Sequence, residues 1–146
     1  MQFDSGEKKD MLKQVFEMRE EFMHKICAQI PDAYPEWPVD LGRKSDQKAI
    51  REFAFRGMEE LFEALLHLKN WKDHRNGVSE FDRDEFLEEM IDAYKYFTAI
   101  LVLVGVDAQE FFDAYQKKHD SLLYCLVSLE GAEIEPSSAH KPHVHL

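Results

Sequence analysis

Residues Asp82 to Asp107 read DRDEFLEEMIDAYKYFTAILVLVGVD, and this stretch decides the fold class. Asp82 and Glu85 have the spacing of a capping box, in which side chains take up the free N–H groups of a helix's first turn. From Phe86 to Val104 apolar residues occupy most sides of a helical wheel. The β-branched run Ile100 to Val104 also suits a strand, but the helical period upstream enters it unbroken, which favours helix. Gly105 then supplies a stop, and Asp107 with Glu110 repeats the capping pattern for a following helix.

Working outward, Met11, Leu12, Val15, Phe16, Phe22, Met23 and Ile26 predict a first helix from Gly6 to Ala28. Pro31, Pro35 and Pro38 interrupt it, and Tyr34 and Trp37 mark a loop that packs on the body of the protein. Ser45 is the expected N-cap of a second helix running to Trp71, with Ile50, Phe53, Met58, Leu61, Phe62, Leu65 and Leu68 as its apolar positions. The polar interval from Lys72 to Glu80 holds the turn signal Asn76-Gly77. Phe111, Phe112, Tyr115, Leu122, Leu123 and Leu126 mark the expected buried side of the last helix. From Gly131 the chain is polar, with His140, His143 and His145, and is expected to be a disordered tail. The expected fold is an all-α bundle of about four main helices over residues 1–130, with the tail over 131–146. A helix apolar nearly all round predicts a homodimer or homotetramer.

Composition narrows the function. The 146 residues make about one domain, and 45% hydrophobic content supports a core. A formal net charge of −11 argues against nucleic-acid binding and against anionic membrane surfaces. It leaves phosphorylated small molecules open, because bound cations invert the local field. Cys27 and Cys125 lie in apolar helical contexts and are expected to be reduced core thiols. The start of the chain has no signal-like apolar core, and Ala99 to Val106 is too short to span a bilayer, so a cytoplasmic protein is expected.

Two acidic clusters carry the chemistry. Glu59, Glu60 and Glu63 lie on the second helix; Glu88, Glu89 and Asp92 lie on the third. Glu60 with Glu63, and Glu89 with Asp92, are three apart and project from one side of a helix. The turn near Gly77 sits at similar distance from both, so antiparallel packing brings them level. Carboxylates facing each other repel unless a cation neutralises them, and Mg2+ suits oxygen ligands and phosphate substrates.

Glu59-Glu60-x-x-Glu63, then 25 residues, then Glu89-x-x-Asp92 resembles the signature of the all-α nucleoside triphosphate pyrophosphohydrolases. That superfamily contains the MazG-like enzymes and the dimeric dUTPases and dCTPases. Val15 to Phe22 is similar to the first helix of the dimeric dUTPases, Lys69 to Lys72 to their basic and aromatic stretch, and Asp92 to Phe97 to the segment after their second acidic pair. Tyr115 to His119 is similar to their late Tyr-x-x-Lys-Asn element. The likeness covers roughly residues 10 to 120.

The resemblance implies hydrolysis of a deoxynucleoside triphosphate between its α and β phosphates, giving a monophosphate and pyrophosphate. Glu60, Glu63, Glu89 and Asp92 are then the metal ligands, for Mg2+ with Mn2+ as substitute, and Glu59 orients or deprotonates the attacking water. Trp71, Lys72, Lys95, Tyr115 and Lys118 become substrate-binding candidates, with Lys95 favoured for phosphate because it lies near the metal face. Arg19 stands where these dUTPases carry a Gln that reads uracil, His119 replaces their Asn, and no late Gly-Tyr element follows Leu129. Arg19 offers donors only, so the base preference stays open between pyrimidines and purines such as guanine. Two other expectations compete: a non-catalytic helical assembly protein, and a house-cleaning hydrolase of modified nucleotides or alarmones. Small members of this group are common in phages, so action in a host cytoplasm is also open.

Overall fold

The computed structural model describes residues 10–74 and 80–130. Among them are four α-helices and no strand: α1 (Met11–Gln29), α2 (Lys44–Leu66), α3 (Arg83–Leu103) and α4 (Ala108–Glu130). Residues up to Phe111 form one compact unit, and those from Phe112 onward a second. The Asn76-Gly77 turn and the tail from Gly131 fall outside the described residues.

α1 starts later than its apolar pattern predicts. Asp10 is extended and caps the helix, its Oδ1 accepting from the Lys13 N–H at 3.0 Å. The start expected at Gly6 is therefore corrected to Met11; residues 1–9 lie outside the description. α1 sends Phe16 and Met23 into a core shared with Phe53 of α2 and Ala99, Val102 and Leu103 of α3. The proline-rich loop packs, as its aromatics predict. Tyr34 stacks on Phe53 with ring centroids 5.0 Å apart, and the Val39 N–H donates to the Leu103 carbonyl at 2.8 Å.

The start of α2 corrects the cap expected at Ser45. Arg43 occupies the cap position without a side-chain cap bond, and Ser45 lies inside the helix. The adjacent Asp46 instead fastens the entry. Its buried carboxylate accepts from the Asp40 N–H and the Arg43 guanidinium, both at 2.9 Å, and from the Ser45 hydroxyl at 3.1 Å. α2 also ends earlier than expected, at Leu66, where the N–H groups of His67 and Leu68 turn back onto Ala64 and Leu65. Trp71 thus lies beyond the helix.

α3 begins and ends where its local chemistry says. The Asp82 side chain accepts from the N–H groups of Asp84 and Glu85, each at 3.1 Å. At the other end Gly105 adopts φ +82°, a left-handed conformation that costs glycine little. Its N–H donates to Val102 and that of Val106 to Leu101, both at 2.9 Å, the paired bonds of a Schellman stop. Ile100 to Leu103 is therefore helix, not strand. Burial, however, is confined to one side: Ala93, Thr98, Ala99, Val102 and Leu103 are buried, whereas Leu87, Ile91, Tyr94 and Phe97 are exposed.

α4 is capped as expected, Asp107 Oδ1 accepting from the Glu110 N–H at 2.8 Å. Phe111 is half-buried against the core, with its ring 5.9 Å from that of Phe16. Phe112, Tyr115, Leu122, Leu123 and Leu126 are exposed, which corrects the buried side assigned to them. A helical period marks an apolar face but does not say what covers it. Cys27 is half-buried and Cys125 exposed, so Cys125 is not a core thiol; both are free. No described helix is long and apolar enough to cross a membrane.

Candidate metal centre and adjoining cavity

Gly57 sets the distance between α2 and α3. Glycine inside a helix costs about 1 kcal/mol relative to alanine. Here a Cβ would lie 3.1 Å from the Tyr96 Cβ and 3.2 Å from the Phe97 ring edge, so the missing methyl permits close approach. Moving from Gly57 to Glu60 and Glu63 along α2 corresponds to moving from Tyr96 back to Glu89 along α3. The helices therefore run antiparallel, as the two acidic spacings required.

At that level Glu60, Glu63 and Glu89 converge, with one carboxylate oxygen from each lying within 4.8 Å of the others. Magnesium binds oxygens at about 2.0–2.1 Å, which sets adjacent ligands about 2.9 Å apart and opposite ones about 4.2 Å apart. The three groups are thus within small side-chain adjustments of holding such an ion. The donor set is all carboxylate, which suits Mg2+ or Mn2+ and not a thiolate-seeking metal. Among the described residues, no Lys or Arg pairs with Glu59, Glu60, Glu63, Glu88 or Glu89.

Glu60 registers the crowding. Burial raises its pKa above the usual carboxylate range, and the charges of Glu63, Asp92, Glu89 and Glu59 push it in the same direction. Asp92 is near enough to act on Glu60 but is not part of the convergent trio; its Oδ1 accepts from the Lys95 ammonium at 2.8 Å. Glu59 is exposed and lines a shallow groove with Arg51, Phe55 and Arg56 on α2.

The other candidates scatter. Trp71 is exposed, with the Lys72 ammonium 5.1 Å from its ring centre. Tyr115 and Lys118 are exposed in the second compact unit.

Arg19 lies in a feature the spacing did not announce. A cavity of about 420 Å³ opens between α1 and α3, walled by Val15, Met18, Phe22, Ile91 and Tyr94, with Arg19 and Lys95 among its lining groups. Arg19 donates to the Tyr34 hydroxyl, and its guanidinium carbon stands 4.9 Å from the centre of the Phe22 ring. The two aromatics that hold it were visible in the sequence, but the pairing of Arg19 with Tyr34 across 15 residues was not.

Compared with protein-family models, with curated proteins and with solved structures, the chain matches none.

Proposed function

We propose that the protein is a magnesium-dependent deoxynucleoside triphosphate pyrophosphohydrolase, yielding a nucleoside monophosphate and pyrophosphate. The observation that carries this is the convergence of Glu60, Glu63 and Glu89 from two helices with no cationic partner among the described residues. Three converging carboxylates, Glu60 and Glu89 half-buried and Glu63 exposed, repel each other, and a divalent cation would offset that repulsion. When bound, magnesium polarises phosphoryl oxygens and makes water a nucleophile at neutral pH.

The chain's residues have the remaining tasks. Glu60, Glu63 and Glu89 would hold the cation, Asp92 would be a further ligand beside them, and Lys95, which donates to Asp92, would be a phosphate contact. We keep the water-orienting role for Glu59, whose charge reaches Glu60. Exposed Phe62 and Leu66 on α2, and exposed Leu122 and Val127 on α4, support assembly into a homodimer or homotetramer. Light scattering on the purified chain measures that directly.

The same apolar exposure favours a second reading, a helical assembly protein without catalysis. Calorimetric titration with Mg2+ separates the two: the enzyme binds it saturably and the assembly protein does not. Turnover should vanish in Glu60→Gln and in Asp92→Asn while the helical circular dichroism signal is kept. Activity retained in both would overturn the site.

A further inference from the structure

We propose that α2 pairs with α2 of a second copy of this chain, antiparallel, along a seam centred on Phe55. The inference rests on the homo-oligomer of the proposed function and names the surface that forms it. It starts from how α2 is filled. Its buried residues Asp46, Phe53, Gly57 and Ala64 fall on one side of the helix. Phe55 is two residues from both Phe53 and Gly57, which places it about half a turn round, on the opposite side. From Phe55 an exposed stripe runs in both directions at the same spacing. Four residues away lie Arg51 and Glu59, seven away Lys48 and Phe62, and eleven away Lys44 and Leu66, all of them exposed.

The two arms of the stripe are opposite in character. In a chain of net charge −11, Lys44 to Arg56 holds four basic and two acidic residues, whereas Gly57 to Leu66 holds three acidic and no basic ones. Among the described residues, Lys44, Lys48, Arg51 and Glu59 make no ion pair. Arg56, to the side of the stripe, is already taken by Glu52. A twofold axis through Phe55 joins the arms. It sets each Phe55 ring against its copy, Arg51 against Glu59, Lys48 against Phe62 and Lys44 against Leu66. These are a ring pair, an ion pair, a cation beside a ring, and a lysine stem along an apolar side chain. The Arg51 guanidinium carbon stands 5.8 Å from the centre of its own Phe55 ring, next to that axis. A parallel pair would set Lys48 on Lys48 and Glu59 on Glu59, and like charges repel. The antiparallel pair is isologous and closes at two copies. It also brings the second copy's Arg51 to Glu59, the group assigned above to orient water, so the second copy contributes a cation beside the proposed metal site.

The test is sedimentation equilibrium of the full chain in EDTA, without nucleotide. The native chain should be a dimer whose dissociation constant rises with salt. Arg51→Glu sets carboxylate against carboxylate at both symmetric contacts, and Glu59→Arg sets cation against cation. Each should weaken the dimer at least about tenfold, a modest share of what apposed like charges cost. The double variant exchanges the charges and should return to within about threefold of the native constant. All three positions are exposed, and circular dichroism checks that the helices are kept. In a chain carrying Cys27→Ser and Cys125→Ser, Phe55→Cys should be joined to its copy by a short bismaleimide. A monomer, single variants that associate as the native chain does, a double variant that is not rescued, or no cross-link at position 55 would overturn the seam. A dimer held by another face gives the second and fourth of these results. Metal and nucleotide are absent, so the result is independent of the acidic cluster. A monomer that hydrolyses triphosphates sinks the seam and keeps the enzyme; a rescued dimer without turnover does the reverse.

Discussion

Two carboxylates in this protein, buried Asp46 and half-buried Glu60, have opposite surroundings. Asp46 meets an arginine, a backbone N–H and a hydroxyl, each within 3.1 Å. Glu60 meets other carboxylates. Their acidities diverge accordingly. The Arg43 guanidinium, helped by the Asp40 N–H, holds Asp46 below the usual carboxylate range, whereas burial and neighbouring negative charge hold Glu60 above it. Asp46 is a finished structural joint. Glu60 has no cationic partner among the described residues, and that is the observation behind the proposed cation site.

The largest effect that sharpens this contrast is on turnover. Glu60→Gln should lower pyrophosphate release at least about a hundredfold, more than loss of an outer-shell partner of a metal ligand costs. Asp46→Asn should leave turnover per folded molecule within a few-fold and lower the melting temperature instead. Equal loss of activity in both variants would erase the distinction. Next in size is linkage to metal. Saturating Mg2+ at a hundred times its dissociation constant should stabilise the native chain by about 2.7 kcal/mol, read as a rise in melting temperature that Glu60→Gln fails to show.

Packing comes third. Gly57→Leu should cost about 1–3 kcal/mol in denaturant unfolding, because the new side chain meets the Tyr96 Cβ where only hydrogen now fits. It should also weaken Mg2+ binding by moving Glu60 and Glu63 away from Glu89. Unchanged stability would mean that α2 and α3 do not approach so closely.

Acidity gives a smaller, signed effect, measured in EDTA. Asp46 has a lowered folded pKa, so its contribution is present above the unfolded carboxylate value and is lost as pH falls through the folded value. Glu60 has a raised folded pKa, so its contribution is full below the unfolded value and is lost as pH rises through the folded one. Metal-free Glu60→Gln should therefore equal or exceed the native chain in melting temperature at neutral pH, with the gain fading in acid. Smallest of all, Lys95→Ala removes an exposed ion pair and should change stability by less than about 1 kcal/mol, while raising KM for a triphosphate.

Much of the fold was legible because it is written in local chemistry. Asp82, Gly105 and Asp107 set the limits of α3 and the start of α4 through bonds to backbone within a few residues. The end of α2 was not legible, since Leu68 and Trp71 continue an apolar pattern past the point where the backbone turns at His67. Asp46 was hidden behind Ser45, because its main partner is an N–H six residues upstream. In the candidate site, spacing brought Glu60, Glu63 and Glu89 level. It did not foresee that Asp92 would stand outside that trio with its Oδ1 on Lys95, because a helical wheel fixes where a side chain starts and not its torsions. The exposed face of α4 shows the same limit: period 3.6 predicts apolar residues on one side, and only a partner decides whether that side is buried.

The central claim is that the uncompensated carboxylates serve phosphoanhydride hydrolysis. It is tested most directly by pyrophosphate release, with Mg2+ and then with EDTA, from the four common dNTPs, dUTP and the matching ribonucleotides. The account predicts Mg2+-dependent release of pyrophosphate from one or two deoxynucleotides, and none in EDTA. No release from any of them by folded, magnesium-supplied protein would contradict it and leave the acidic cluster as a solvated helix face.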